Sequence, residues 1–479
     1  MSQDFAGVLF RHRERIAEIV DVLARYGFAG LASRVGDLPE AGLAARALAR
    51  KADAELAAGT AGQRLRGALA ELGTSWIKLG QMLSLRPDLV GPDVAAELAQ
   101  LQANVPPDPA GSVEATILAG LGRPVEEAYG SFESVPLASA SVAQAHRATL
   151  VDGTAVVVKV VHAGARQRVL EDLELMRALA GVLARDEEIA RYSPTSLVAE
   201  FDTMMRSAMD LRQELVNLQQ VTVNFSGEPD VVVPAPFPEL SGRDFLTMSL
   251  LSGQQMSGRD SVIASGWEVD ALVRRASDVY LEMVFRDGLY HADPHPGNFL
   301  LPDGGHLAIL DFGDVGHLTG PRRDQLEALL VAVAARDVEE LVDVVVELTH
   351  PPRDFDRDRL AGQIETWLNR YLSGGVGDLD MTAMVAAGMQ IMHDNTLTFP
   401  ADLALLFRVL LRLQGLGSAI GANVSLTELL RPYLNQMVAD RLDPAKVLRQ
   451  VRRTVRGWER LVASAPADLR SIMDQLTSG

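Results

Sequence analysis

His291, Asp293, Asn298 and Asp311 are the side chains whose types and spacing best suit chemistry. They lie in two short motifs, HADPHPGN at 291–298 and LDFGD at 310–314. Asn298 stands five positions after Asp293, and Asp311 heads a D-F-G thirteen positions further on. This order suits phosphoryl transfer from ATP. One Asp orients or deprotonates the acceptor, while an Asn and a second Asp hold magnesium on the phosphates. A lone D-F-G is a common tripeptide. An H-x-D-x-x-x-x-N ahead of it, with the strand-like LAILDF (307–312) between, is not. The bland alternative is two polar turns between strands.

The same chemistry asks for a lysine on the phosphates and a carboxylate to hold it. Lys159 in VVVKV is the candidate, since it lies in the one strongly β-branched run of the early half. Glu214 in DLRQELVN is its candidate partner, with Glu174 in EDLELMRAL as the alternative. No G-x-G-x-x-G precedes Lys159; PLASASVAQAHRATL (136–150) stands there, with alanines and serines in place of glycines. Glycine lets a backbone approach phosphate closely, so this stretch predicts a different nucleotide geometry. Ser139, Ser141 and Gln144 could supply side-chain hydrogen bonds instead, or the stretch could be a plain small-residue hairpin.

Several elements must position these groups. TAVVVKVV (154–161) follows the turn signal Asp152–Gly153, and DVVVP (230–234) and DFLTMSLL (244–251) are further strand signals. Helical spacing marks 165–185, 194–222 and nearly everything from 268 onward outside 291–317. Residues 1–66 are rich in Ala, Leu, Arg and Glu, and helices continue to Arg86–Pro87, with Pro92 suited to a first turn. PPDPAG (106–111) is the first clear break. Strands early and helices late predict an α+β, two-lobed kinase-like fold with added N-terminal helices and a helix-rich large lobe, the nucleotide lying in the cleft. The expected division is a helical extension (1–66), a small lobe (67–250), a large lobe carrying the catalytic and D-F-G loops (251–440), and a basic helix and tail (441–479).

Composition narrows the classes. A chain of 479 residues predicts two or three domains or lobes. A net charge of −18 argues against nucleic acid as the main partner. The chain has no cysteine, which excludes disulfides, a thiol nucleophile and Cys-ligated zinc, and fits a reducing compartment. Charges at Asp4, Arg11, Arg13, Glu14 and Arg15 do not suit a signal peptide. The most apolar stretch, 401–420, is interrupted by Asp402, Arg408 and Arg412, so no membrane span is expected. The expected location is the cytoplasm.

IKLGQMLSLRPDLV (77–90), SASVAQAHRA (139–148), VVVKV, DLRQE (210–214), HADPHPGN and LDFG together resemble the UbiB family, the atypical kinase-like proteins of the AarF/ADCK group. The resemblance runs from about residue 67 to about residue 460. It implies an enzyme that binds ATP or ADP with Mg, and that hydrolyses ATP or phosphorylates a small or lipid-associated acceptor. The supported process would be isoprenoid quinone or membrane lipid metabolism, with a quinone-like or lipid ligand. By the same resemblance Lys159 and Glu214 form the ion pair, and Asp293 is the catalytic Asp. Asn298 and Asp311 are the metal ligands, and Ala138, Ser139, Ala140, Ser141 and Val142 meet the nucleotide. The K-x-G-Q residues Lys78, Gly80 and Gln81 lie on an added helix that blocks a protein substrate.

One position departs from the family. Where it has an E-x-D, this chain reads Ala208–Met209–Asp210. Lys78 thereby loses the Glu expected to anchor it, leaving the latch looser or held by Asp210. Two alternatives differ in class: a pseudokinase-like binding module using nucleotide as a switch for a partner complex, and a small-molecule phosphotransferase, which would lack K-x-G-Q.

The tail carries a separate signal. RLDPAKVLRQVRRTVRGWER (441–460) gathers Arg449, Arg452, Arg453 and Arg456 on one face, with Val447, Val451, Val455 and Trp458 at helical spacing on another. A basic amphipathic helix on an acidic chain suits an anionic membrane surface, hence peripheral attachment at the inner face. Packing on the large lobe is the alternative.

Overall fold

The chain is described by a computed structural model for residues 7–8, 11–28, 56–84, 86, 90–101, 106–185, 193–349, 351, 355–372, 381–397, 399–424 and 428–434. The basic 441–460 segment lies outside the described residues. Two compact units result: Met1–Gln254 with Asn298–Val315, and Gln255–Gly297 with Gly316–Gly479.

The first unit is built on an antiparallel sheet. Its strands are β1 (Ser131–Phe132), β2 (Ala138–Ser139), β3 (Ala143–Thr149) and β4 (Ala155–Val161); β5 (Val231–Val232) lies apart, and β6 (Phe245–Ser249) completes the sheet. The order is β1-β3-β4-β6, with β2 also on β3. β4 is therefore flanked on both sides, which accounts for its β-branched run. Alternation buries Val156, Val158 and Val160 against Val113 and Ile117 of the Ala110–Leu121 helix. The opposite face carries Lys159, in register between Ala145 of β3 and Leu246 of β6. Gly153 at φ 88° closes the β3–β4 turn, and Thr154 N–H donates to Asp152 at 2.9 Å.

Helices pack a second core in this unit. Thr74–Leu83, Ala165–Leu183 and Pro194–Ala208 bury Trp76, Ile77, Leu173, Phe201 and Met205 in one core. The helical spacing over 194–222 resolves into two helices, because Asp210 is extended (φ −117°, ψ 91°) and its carboxylate accepts the Arg212 N–H. Asp210 thus caps Leu211–Asn224, the helix that carries Glu214. The short strands Phe299–Leu301 and Leu307–Ile309 pair antiparallel, and the second runs parallel to β5.

The second unit is helical, as the late periodicity predicts. Val269–Leu281 continues through a π turn at Glu282–Asp287 into the strand Leu289–His291. Gly320–Ala335, Val338–Thr349, Arg357–Leu372, Met381–Asp394 and Ala401–Ala419 follow. Among the described residues no helix is long and apolar enough to cross a membrane.

Candidate functional site

Lys159, Glu214 and Asp311 meet in the first unit. The Lys159 ammonium donates to both Glu214 oxygens and to Asp311 Oδ1, each at 2.9 Å. Its three protons are thereby all engaged. Glu214 is buried, at 5% side-chain exposure, whereas Asp311 is half exposed at 50%. Burial works to lower the Lys159 ammonium, but Asp311 and Glu214 outweigh it and hold the group above its ordinary value. Burial pushes the Glu214 carboxyl up to about 7, against the pull of Lys159. The lysine is the charge to rely on, because two carboxylates face it.

The backbone sets this cluster. Asp311 adopts φ 58°, a left-handed position that Asp tolerates better than most residues. Asn217, one helical turn beyond Glu214, donates to Phe312 O at 3.0 Å and anchors the D-F-G segment to the Glu214 helix. Gly313 completes the fit: a Cβ there would lie 3.1 Å from both Asp311 Oδ1 and Glu214 Oε2. Asn298 is buried, and its carbonyl accepts the Leu310 N–H at 2.8 Å. An Asn amide oxygen and a half-exposed carboxylate are hard oxygen donors of the kind magnesium takes.

Glu174, the alternative partner for Lys159, is engaged elsewhere. It pairs with His12 at 2.7 Å and lies 3.6 Å from Arg11. The choice between the two glutamates depends on which helix faces β4, which spacing alone does not reveal.

The nucleotide-loop candidates Ala138, Ser139, Ala140, Ser141 and Val142 form the end of β2 and the turn into β3. Ala138 pairs with Ala145, and Ser139 with Gln144. Gln144 is not available to a ligand through its oxygen, since Oε1 accepts the Asp108 N–H at 2.9 Å.

Lys78, Gly80 and Gln81 lie on Thr74–Leu83. Gln81 donates to Leu101 O at 3.0 Å. A Cβ at Gly80 would come within 2.3 Å of Leu101 Cδ1 and 2.8 Å of Leu69 Cδ1, so glycine permits the close approach. Lys78 is half-buried and forms no ion pair among the described residues. Asp210 does not replace the missing Glu: Arg212 holds it, with Arg243 at 4.0 Å.

Asp293 belongs to the second unit. Its backbone N–H donates to His291 Nδ1 at 3.1 Å, and its carbonyl accepts from His295 N–H at 2.9 Å. Its carboxylate Oδ1 accepts from Arg412 at 2.7 Å. Burial, and then the Asp293 charge, keep the nearby Tyr280 phenol well above its ordinary value. Arg412 is a site residue that sequence reasoning passed over. Its signal was the charge interrupting the apolar 401–420 stretch. Another of the interruptions, Asp402, pairs with Arg322 at 2.8 Å. Asn217 was also missed, though it stands in the same DLRQELVN motif as Glu214.

Residues 100–345 match the ABC1 atypical kinase-like domain. Proteins named probable protein kinase UbiB from Marinobacter nauticus and Vibrio vulnificus are 31% and 30% identical to this chain, over 403 and 420 residues. Those matches cover 83% and 86% of this chain, and 74% and 77% of the relatives. The solved Rv3197–erythromycin complex from Mycobacterium tuberculosis aligns with a TM-score of 0.50 at 25% identity, over 76% of this chain and 92% of that one.

Proposed function

Because this chain belongs to the ABC1 atypical kinase-like family, we propose that it is a Mg-dependent, ATP-binding enzyme of UbiB type. It hydrolyses ATP or phosphorylates a small or lipid-associated acceptor, in support of isoprenoid quinone or membrane lipid metabolism. The observation that carries the proposal is the Lys159–Glu214–Asp311 cluster, in which one ammonium meets two carboxylates at 2.9 Å. Lys159 would turn from Asp311 toward the α and β phosphates, with Glu214 keeping its place. Asp311 and Asn298 would hold magnesium, which neutralises phosphate charge when bound. Asp293 orients the attacking hydroxyl or water, and Arg412 holds its carboxylate in place through Oδ1. The K-x-G-Q helix would exclude peptides.

A nucleotide-binding switch without turnover is the second reading, favoured by the alanine-rich turn in place of glycines. Thin-layer assay of ATP turnover with Mg or with EDTA separates the two. Repeating it with anionic liposomes and a quinone-like phenol tests the acceptor class. Mg-dependent release of phosphate, or its transfer to the phenol or lipid, supports the enzyme. Mg-nucleotide binding without either product favours the switch.

A further inference from the structure

Three consecutive carbonyls of the 140–142 turn are tied to groups elsewhere in the first unit. Ala140 O accepts from His162 Nε2 at 3.0 Å, and Ser141 O accepts from the Thr74 hydroxyl at 3.1 Å. Val142 O accepts from the His162 backbone N–H at 2.9 Å. Since a carbonyl only accepts, His162 carries a proton on Nε2. Its Nδ1 lies 3.2 Å from Asp108 Oδ1, within ion-pair range but out of line for a hydrogen bond. Asp108 is held in turn: Oδ2 accepts the Ala163 N–H at 2.7 Å, and its own N–H donates to Gln144 Oε1 at 2.9 Å. His162 and Gln144 are 6% and 1% exposed.

The Val142 bond continues the β3–β4 ladder, in which Ala143 faces Val161, but a plain hairpin needs neither the His162 side-chain bond to Ala140 O nor the Thr74 bond to Ser141 O. The β2–β3 pairing and the Ala140 N–H bond to Ala143 O, at 2.9 Å, already close the turn. The added contacts withdraw the carbonyls into the protein. Among the described residues, the Ser141 and Val142 amides donate to no acceptor. Adjacent N–H groups with their carbonyls turned away favour an anion. No residue from Ala138 to Val142 has a left-handed φ. The conformational freedom of a glycine loop is absent, and the clamp fixes the backbone instead.

Resting on the nucleotide reading above, we infer that His162, Thr74 and Asp108 are positioning residues that hold the 140–142 turn with its Ser141 and Val142 amides presented to nucleotide phosphate. Thr74 is also the first residue of the helix carrying Lys78, Gly80 and Gln81, so that helix and the turn are mechanically joined.

The test combines Mg·ADP and Mg·ATP titration calorimetry with amide exchange of a 136–150 peptide in the full chain. In the wild type, Mg·ADP is expected to protect that peptide. His162→Leu and Thr74→Val should each weaken nucleotide affinity about fivefold, the factor for one hydrogen bond, and lose the protection. His162→Gln keeps a donor within reach of Ala140 O and should recover most of both. Thr74→Val is isosteric and decides the matter alone if His162→Leu does not fold. Variants that melt earlier but keep wild-type affinity and protection would overturn the assignment. A wild-type chain that binds neither nucleotide would overturn the nucleotide reading itself, and this inference with it.

Discussion

At the residue scale, the two carboxylates assigned to chemistry stand in different surroundings. Asp311 is bound to Lys159 beside a buried glutamate, while Asp293 is bound to Arg412 on a helix of the other unit. Their substitutions should separate. Asp293→Asn is expected to abolish turnover while leaving nucleotide affinity within a few-fold, because in the proposed function this residue would serve the acceptor and not the phosphates. Parallel loss of affinity and turnover would show the assigned role to be wrong. The residues of both motifs were legible in the sequence because their chemistry depends on short spacings. Arg412, His162 and Asn217 were not, since their meaning depends on partners far along the chain: Asp293, Ala140 and Phe312. Glu214 against Glu174 could be resolved only by which helix lies on the Lys159 side of β4.

At the element scale, the alanine-rich turn and the K-x-G-Q helix are joined through Thr74 and Ser141 O. Glycine at the turn should loosen what His162 and Thr74 hold. Ala140→Gly at its tip, and Ala143→Gly at the start of β3, are expected to change the ratio of ADP to ATP affinity in calorimetric titration. A wild-type ratio in both variants would reduce the turn to a hairpin. Gly80→Ala acts by packing instead. Its Cβ would press on Leu101 and Leu69, so overpacking should cost about 1–3 kcal/mol in urea unfolding. No loss would mean that the leucines move aside freely. β4 and β6 were readable from their β-branched and apolar runs, as was the helix after β4. The break at Met209–Asp210 was hidden because both flanking segments keep helical spacing, and only the capping carboxylate of Asp210 separates them.

At the scale of the whole molecule, the division into a sheet-bearing unit and a helical unit follows the early-strand, late-helix pattern of the sequence. That Asn298–Val315 belongs with the sheet-bearing unit is a matter of chain path, which local periodicity does not encode. Overall charge is −18, yet the 441–460 segment gathers its basic residues. Each Lys or Arg near an anionic surface contributes about 1 kcal/mol, decaying over a Debye length. Binding to anionic liposomes is therefore expected to be peripheral and reversed by salt. Replacing Arg449, Arg452, Arg453 and Arg456 with Gln should release the chain without altering nucleotide binding. Equal sedimentation with neutral and anionic vesicles would assign that segment to packing instead.

In the proposed function, the Lys159–Glu214–Asp311 cluster receives a magnesium nucleotide. Asp311 would supply the charged ligand and Asn298 a neutral carbonyl, so Asp311 should dominate the metal dependence. The most direct measurement is the thermal stabilisation given by ADP or ATP, with Mg and with EDTA, in the wild type and in Asp311→Asn. The wild type should be stabilised only when Mg is present, and the variant should lose most of that shift. An equal shift in the two proteins, or a wild-type shift that survives EDTA, would contradict the account.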